Sequence, residues 1–201
     1  MPRRETPFIP DQYYHFYNRG NNRQAVFFEP KNYVYFLKSI KKYLRGKVEI
    51  IAYCLMPTHY HILARVLHIK TSFKNLGGLE QRDDEVRRFL HQSHQQAFRP
   101  GGSLFQGQFQ AKPVKTDKHL LNLCAYIHAN PVKDGLAPSP EMWDFSNYLE
   151  WMGLRNGTLV NREFITENFG TAEEYGKFVT EYIRSRKMDE EFQNYIRDFE
   201  R

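Results

Sequence analysis

"VEIIAYCLMPTHYHILARV", residues 48–66, decides how the rest of the chain is read. A β-branched apolar run over residues 48–56 meets Pro57-Thr58, and a second run, "HYHILARV", follows. Proline cannot donate to a sheet ladder, so the pattern predicts two closely joined strands, a buried hairpin, with one long bent strand as the alternative. Side chains alternate along a strand, so His59 and His61 share one face and Tyr60 takes the other. Alone, the pair also fits two polar residues on a half-exposed strand face.

Outward from this hairpin the chain alternates element types. "YYHFYNRG" (13–20) reads as a strand that ends at Gly20 in the polar loop "NRGNNRQ". From Pro30 to Leu44, the residues Tyr33, Phe36, Leu37, Ile40 and Leu44 recur at helical spacing and Gly46 follows as a stop. Residues 82–98 read as a helix ended by "RPGG". "SLFQGQFQAKPVK" sets Leu104, Gln106 and Gln108 against Phe105 and Phe109, a strand or extended ribbon whose glycine marks a bulge. "TDKHLLNLCAYIHAN" (116–130) is a helix capped at Thr116 or Asp117 and expected to end before Pro131. Beyond "WDFSNYLEWMG", two or three charged surface helices are expected. The order strand, helix, strand, strand, helix, strand, helix implies an α+β fold, an antiparallel sheet with helices packed on one face, for which a ferredoxin-like arrangement fits best.

Length and composition suit one soluble body. The 201 residues are 41% hydrophobic, 15% aromatic and 26% charged, which excludes disorder and coiled coil. With no signal-like segment and no bilayer-length apolar run, a cytoplasmic protein is expected, without membrane contact. Cys54 and Cys124 lie in apolar runs without metal-type spacing and read as buried thiols. The net charge of +6 is uneven: residues 171–201 hold six basic and eight acidic side chains, leaving 23 against 15 in residues 1–170. That surplus suits a polyanion partner.

A third polar group can join the histidine pair from the 116–130 helix. At about 100° per residue, with Tyr126 at zero, His119, Asn122 and Asn130 fall within about 40° of it. The apolar Leu120, Leu123, Cys124 and Ile127 begin where that stripe ends. Tyr126 then sits at the margin of the buried face, and Asn130 presents its amide to the same spot. A boundary tyrosine and a plain helix end before Pro131 are the competing readings. His128 projects to the far side and reads as surface, as do His91 and His94.

"HYH" in an apolar strand resembles the His-hydrophobic-His signature of the HUH endonucleases, and "YIHANPVKDGL" resembles the tyrosine helix of their single-tyrosine transposases. "NRGNNRQAVFF", "AYCLMPTHYHIL", "GSLFQGQFQAKPV", "YIHANPVKDGL" and "WDFSNY" together resemble the ordered blocks of the REP-associated tyrosine transposase family, over about residues 13 to 151. Two departures stand out: Thr58 where that family usually has asparagine, and Gln108 where arginine is frequent. The resemblance implies a transposase domain over 1–153 and a helical extension over 154–201.

It also implies His59, His61 and Asn130 as ligands of a Mg2+ or Mn2+ ion, and Tyr126 as a nucleophile that forms a 5′-phosphotyrosine and frees a 3′-OH. Two imidazoles and one amide oxygen leave positions open for water and substrate; the ligands alone do not exclude zinc. The implied partner is hairpin-bearing single-stranded DNA of repetitive palindromic elements, met by a monomer or homodimer. Arg19, Asn21, Asn22, Arg23, Lys112 and Lys115 are expected along its path. His119 is a speculative proton-transfer helper. Two other functions remain open: a non-catalytic single-stranded nucleic-acid-binding module with a ferredoxin-like sheet, and a metal-dependent hydrolase that uses water and does not require Tyr126.

Overall fold

A computed structural model describes residues 8–67, 104–107, 109–185 and 189–200. The expected helix over 82–98, with His91 and His94, and Gln108 lie outside the described residues. Four strands, β1 (Tyr13–Arg19), β2 (Val48–Met56), β3 (His59–Val66) and β4 (Gln110–Val114), form one antiparallel sheet in the order β2-β3-β1-β4. Helix α1 (Pro30–Leu44) covers one face and α2 (Asp117–Lys133) the other, not the single face expected from the element order, because β2 and β3 are apolar on both sides and each side needs a cover. The fold is α+β, with the ferredoxin-like strand order. Four short or peripheral helices follow: α3 (Tyr148–Trp151), α4 (Glu163–Phe169), α5 (Ala172–Ser185) and α6 (Glu190–Glu200).

The local signals act as expected for most elements. Helix α1 opens with a reciprocal cap between Glu29 and Asn32, takes Pro30 in its first turn where no donor is lost, and ends before Gly46 at φ 72°. Its buried side chains Tyr33, Phe36 and Ile40 pack with Phe27, Tyr60, Ile62, Phe105 and Phe109. A register shift between Ile50 and Ala52 puts both Ile51 and Ala52 on the α2 side, after which alternation resumes with Cys54 and Met56 toward α2 and Tyr53 and Leu55 toward α1. Both cysteines are buried and free.

The edge of β2 is covered by residues 143–161. Leu55 N donates to Phe145 O at 2.9 Å, the Trp143 indole to Leu55 O at 3.1 Å, and Asn161 N to Ile50 O at 2.9 Å, so no open ladder remains there for another chain to extend.

Two expectations are corrected. Helix α2 does not stop before Pro131 but runs through it to Lys133. So near the helix end the proline removes only the bond to Ile127 O, its ring is buried, and its own carbonyl is taken by Leu136 N at 2.8 Å in a turn with Gly135 at φ 70°. The C-terminal helices are not only surface elements. Phe164, Tyr175, Val179, Phe192 and Ile196 join the core cluster that contains α2, because the amphipathic faces of these helices have nowhere else to bury. Among the described residues, no helix is long and apolar enough to cross a membrane.

Candidate active site

Strand β3 places the two histidines. Register sets His61 beside Tyr17 and His59 beside Arg19 on β1, with both imidazoles on the α2 face. His59 is 7% and His61 2% exposed, not half-exposed, and their ring centroids lie 5.1 Å apart at 81°. The preceding turn is fixed by Gly20 N donating to Thr58 O at 2.8 Å; a Cβ on Gly20 would meet Gln24 O at 2.1 Å, so only glycine fits.

Each ring is anchored through its Nδ1. His59 Nδ1 lies 2.9 Å from the Thr58 hydroxyl, and His61 Nδ1 lies 2.9 Å from Nε2 of His15 on β1. Both Nε2 atoms are therefore the ones positioned to take a ligand, the usual division of labour for metal-binding imidazoles. Burial, and then the Arg19 charge, push the His59 pKa down to about 4. Burial, then His15, His59, Arg19 and Lys133, hold His61 well below the usual histidine value. Burial, then Lys112, depress His15 to about 3. Neutral imidazoles keep a lone pair for a cation.

Helix α2 brings Tyr126 edge-on to His61, with ring centroids 5.4 Å apart at 78°. Lys133 sets its ammonium 4.7 Å from the centre of the same phenol ring. Buried Asn130 donates its amide NH2 to Tyr126 O at 2.9 Å, which commits the nitrogen to the helix. The two imidazoles and the Tyr126 ring thus stand together in one buried patch, with Asn130 one helical turn from Tyr126; two imidazoles and an amide are a donor set that would suit a hard or borderline divalent ion with open positions. Among the described residues there is no group of three His, Cys, Asp or Glu side chains suited to a metal.

Other expected residues fall elsewhere. His119 turns to α6, packing against Phe192 and Tyr195 with Glu191 at 3.7 Å. His128 is corrected from surface to fully buried: Nε2 lies 2.9 Å from Asn147 Oδ1, and Nδ1 meets the Tyr175 hydroxyl. Asn147 in turn accepts from Tyr53 N and donates to Ile51 O, so "YIHANP" and "WDFSNY" meet against the edge strand. Arg19 opposes His59, and Asn21, Asn22 and Arg23 form one exposed turn beside it. Lys112 instead binds Tyr195 O at 3.0 Å and sits 4.4 Å over that ring, while exposed Lys115 follows the opposite end of the β1–β4 pairing. The six expected DNA contacts are thus split between two ends of the sheet.

The sequence reading missed His15, Thr58 and Lys133 as site residues. Only His15 left a trace, through its alternation with Tyr13 and Tyr17 in "YYHFYNR", and that parity gains meaning once β1 is known to pair with β3.

The family model described as "Transposase IS200 like" matches residues 9–130, which contain both histidines, Tyr126 and Asn130. The chain belongs to this family. A Haemophilus influenzae protein described as "Putative REP-associated tyrosine transposase" is 30% identical over 111 residues, covering 50% of this chain and 58% of that relative. The chain thus spans little more than half the length of that curated relative. A solved REP-associated tyrosine transposase bound to a REP hairpin superposes with a TM-score of 0.59 at 19% identity, covering 81% of this chain and 98% of that one, and shares its fold.

Proposed function

We propose that this chain nicks and rejoins hairpin-bearing single-stranded DNA through a covalent 5′-phosphotyrosine at Tyr126, with a Mg2+ or Mn2+ ion held by His59, His61 and Asn130. The observation that carries the reading is the edge-on contact of the Tyr126 ring with His61. A nucleic-acid-binding module needs neither group in that relation. The hairpin partner is taken from the solved relative, which is bound to a REP hairpin.

A bound divalent ion supplies positive charge to the phosphate oxygens and the departing 3′ oxygen. Tyr126 attacks phosphorus in line, forming one P–O bond as the P–O3′ bond breaks. Its phenolic proton passes to water, and water returns a proton to the departing 3′ oxygen, which leaves as a hydroxyl. Lys133 stabilises the negative charge that develops on the phenol oxygen. His15 and Thr58 hold the two imidazoles in the tautomer and orientation that present Nε2. Because one phosphodiester replaces another, a second 3′-OH reverses the step and joins strands.

The test uses labelled single strands that carry a hairpin, incubated with the protein and Mn2+ and run on a denaturing gel. Label migrating with the protein, lost in Tyr126→Phe, is expected. Cleavage retained in Tyr126→Phe would mean that water is the nucleophile.

A further inference from the structure

His128 is a fully buried imidazole on α2 that the cutting step leaves unused. It lies two residues past Tyr126, about 200° further round the helix, so the two side chains leave α2 on opposite flanks. Tyr126 meets His61 on β3, while His128 meets Asn147 and Tyr175. Both partners come from beyond residue 130, where the match to the transposase model ends.

The ring is held from two sides. Asn147 gives its Nδ2 to Ile51 O at 3.2 Å, which fixes Oδ1 as the atom facing Tyr53 N and the imidazole. That oxygen can only accept, so Nε2 of His128 carries the proton and donates to it at 2.9 Å. Nδ1 then keeps a lone pair, which accepts from the Tyr175 hydroxyl on α5. Three rings also stand edge-on to the imidazole, with centroids 5.5 Å away for Tyr148, 5.2 Å for Trp151 and 5.7 Å for Tyr175. Groups outside α2 thus set both the plane of this ring and its angle about the helix axis.

Such a hold bears on the phenol because a helix turns as one piece. Leu120, Leu123, Cys124 and Ile127 bury apolar surface, and apolar contact is non-directional, so it tolerates a small roll. Hydrogen bonds do not. At a side-chain radius of about 5 Å, a roll of about 10° carries the phenol about 1 Å, and a misplacement of that size can cost roughly 100-fold in rate. The far end of the linkage is anchored beside the histidine strand: Asn147 bonds to Tyr53 and Ile51 on β2, and the next residue, Cys54, is paired with His61.

We infer that Asn147 and Tyr175 are positioning residues for the cutting step: by gripping His128 from the β2 edge and from α5, they hold the roll of α2 at which Tyr126 stands against His61. This rests on the reading under Proposed function. It gives α5 a part in the reaction that is exerted through another side chain.

The experiment measures single-turnover formation of the Tyr126 adduct on a labelled hairpin-bearing strand at saturating Mn2+, for wild type, Tyr175→Phe, His128→Leu, His128→Gln and Phe36→Leu. The last, in the cluster on the opposite face of the sheet, controls for lost stability alone. Melting curves fix a temperature at which every variant compared is folded; should His128→Leu not fold, Tyr175→Phe, which deletes one oxygen, carries the test. Expected is a fall of roughly 10- to 100-fold in the saturated rate for Tyr175→Phe and His128→Leu, with hairpin KM within about twofold of wild type. His128→Gln, whose amide still donates to Asn147, should recover part of it, and Phe36→Leu should keep the wild-type rate. A fluorotyrosine label in place of Tyr126, read by its fluorine resonance without DNA or metal, should shift with Tyr175→Phe and not with Phe36→Leu. A wild-type rate in Tyr175→Phe, an equal fall in Phe36→Leu, a loss confined to KM, or an unmoved resonance would each overturn the inference, while adduct formation by wild type leaves the reading of the cutting site standing. If wild type forms no adduct, that reading falls, and the resonance alone decides whether Tyr175 seats the phenol.

Discussion

The amide nitrogen of Asn130 donates to the carbonyl oxygen of Tyr126, one helical turn back, at 2.9 Å. One side chain thereby secures the backbone of the turn that bears Tyr126. Asn130→Ala is expected to raise the Mn2+ concentration needed for adduct formation and to cost about 1 kcal/mol of stability. Asn130→Asp keeps an oxygen but not the donor, so it should recover the metal dependence and not the melting temperature. A Mn2+ titration unchanged in both variants would remove Asn130 from the ligand set.

His15 and Thr58 touch no substrate in this scheme, yet each fixes an imidazole. His15→Leu and Thr58→Val should each weaken Mn2+ binding roughly 10- to 100-fold. Calorimetry of Mn2+ binding reads this directly, without DNA, and wild-type affinity in both variants would refute it.

Lys133 sits over the ring of Tyr126 and favours a phenolate more than a phenol. Lys133→Ala should slow single-turnover adduct formation roughly tenfold, about 1.4 kcal/mol in the barrier, and move the rise in rate to higher pH. Lys133→Arg should restore most of it. An unaltered pH profile in the alanine variant would count against the assignment.

Acid should unfold the protein through its buried histidines. His15, at about 3, and His59 and His128, each at about 4, stay neutral in the native state, whereas an unfolded histidine titrates near 6.5. Between about pH 6.5 and about 4 the unfolded chain therefore binds more protons, so stability is fully present above that window and falls as pH drops through it. Thermal melts across the window should show a steady decline, flatter in His15→Leu; a constant melting temperature would contradict the assignment of neutral buried rings.

Most of the fold is written in local pattern. Strands β2 and β3 and helix α1 have the limits that residue alternation, Pro57, Pro30 and Gly46 dictate. Helix projection put Tyr126 at the margin of the buried face; its meeting with the histidine strand was what the family resemblance implied. What escaped depends on partners distant in sequence. His128 looked exposed because α2 was given one buried side, whereas α5 covers a second through Tyr175. His15 looked unremarkable because its meaning lies in the pairing of β1 with β3, 46 residues away. Pro131 looked like a stop because the compensation, a turn taken by its own carbonyl, is tertiary in origin.

The buried linkage from His128 through Asn147 to Tyr53 and Ile51 bears on whose reaction centre this is. Swinging α2 away toward a neighbouring molecule would part the imidazole from the Asn147 oxygen and the Tyr175 hydroxyl, at about 1–3 kcal/mol for each buried group left without a mate. Any arrangement that hands the Tyr126 helix to a second copy has to meet that cost before it forms.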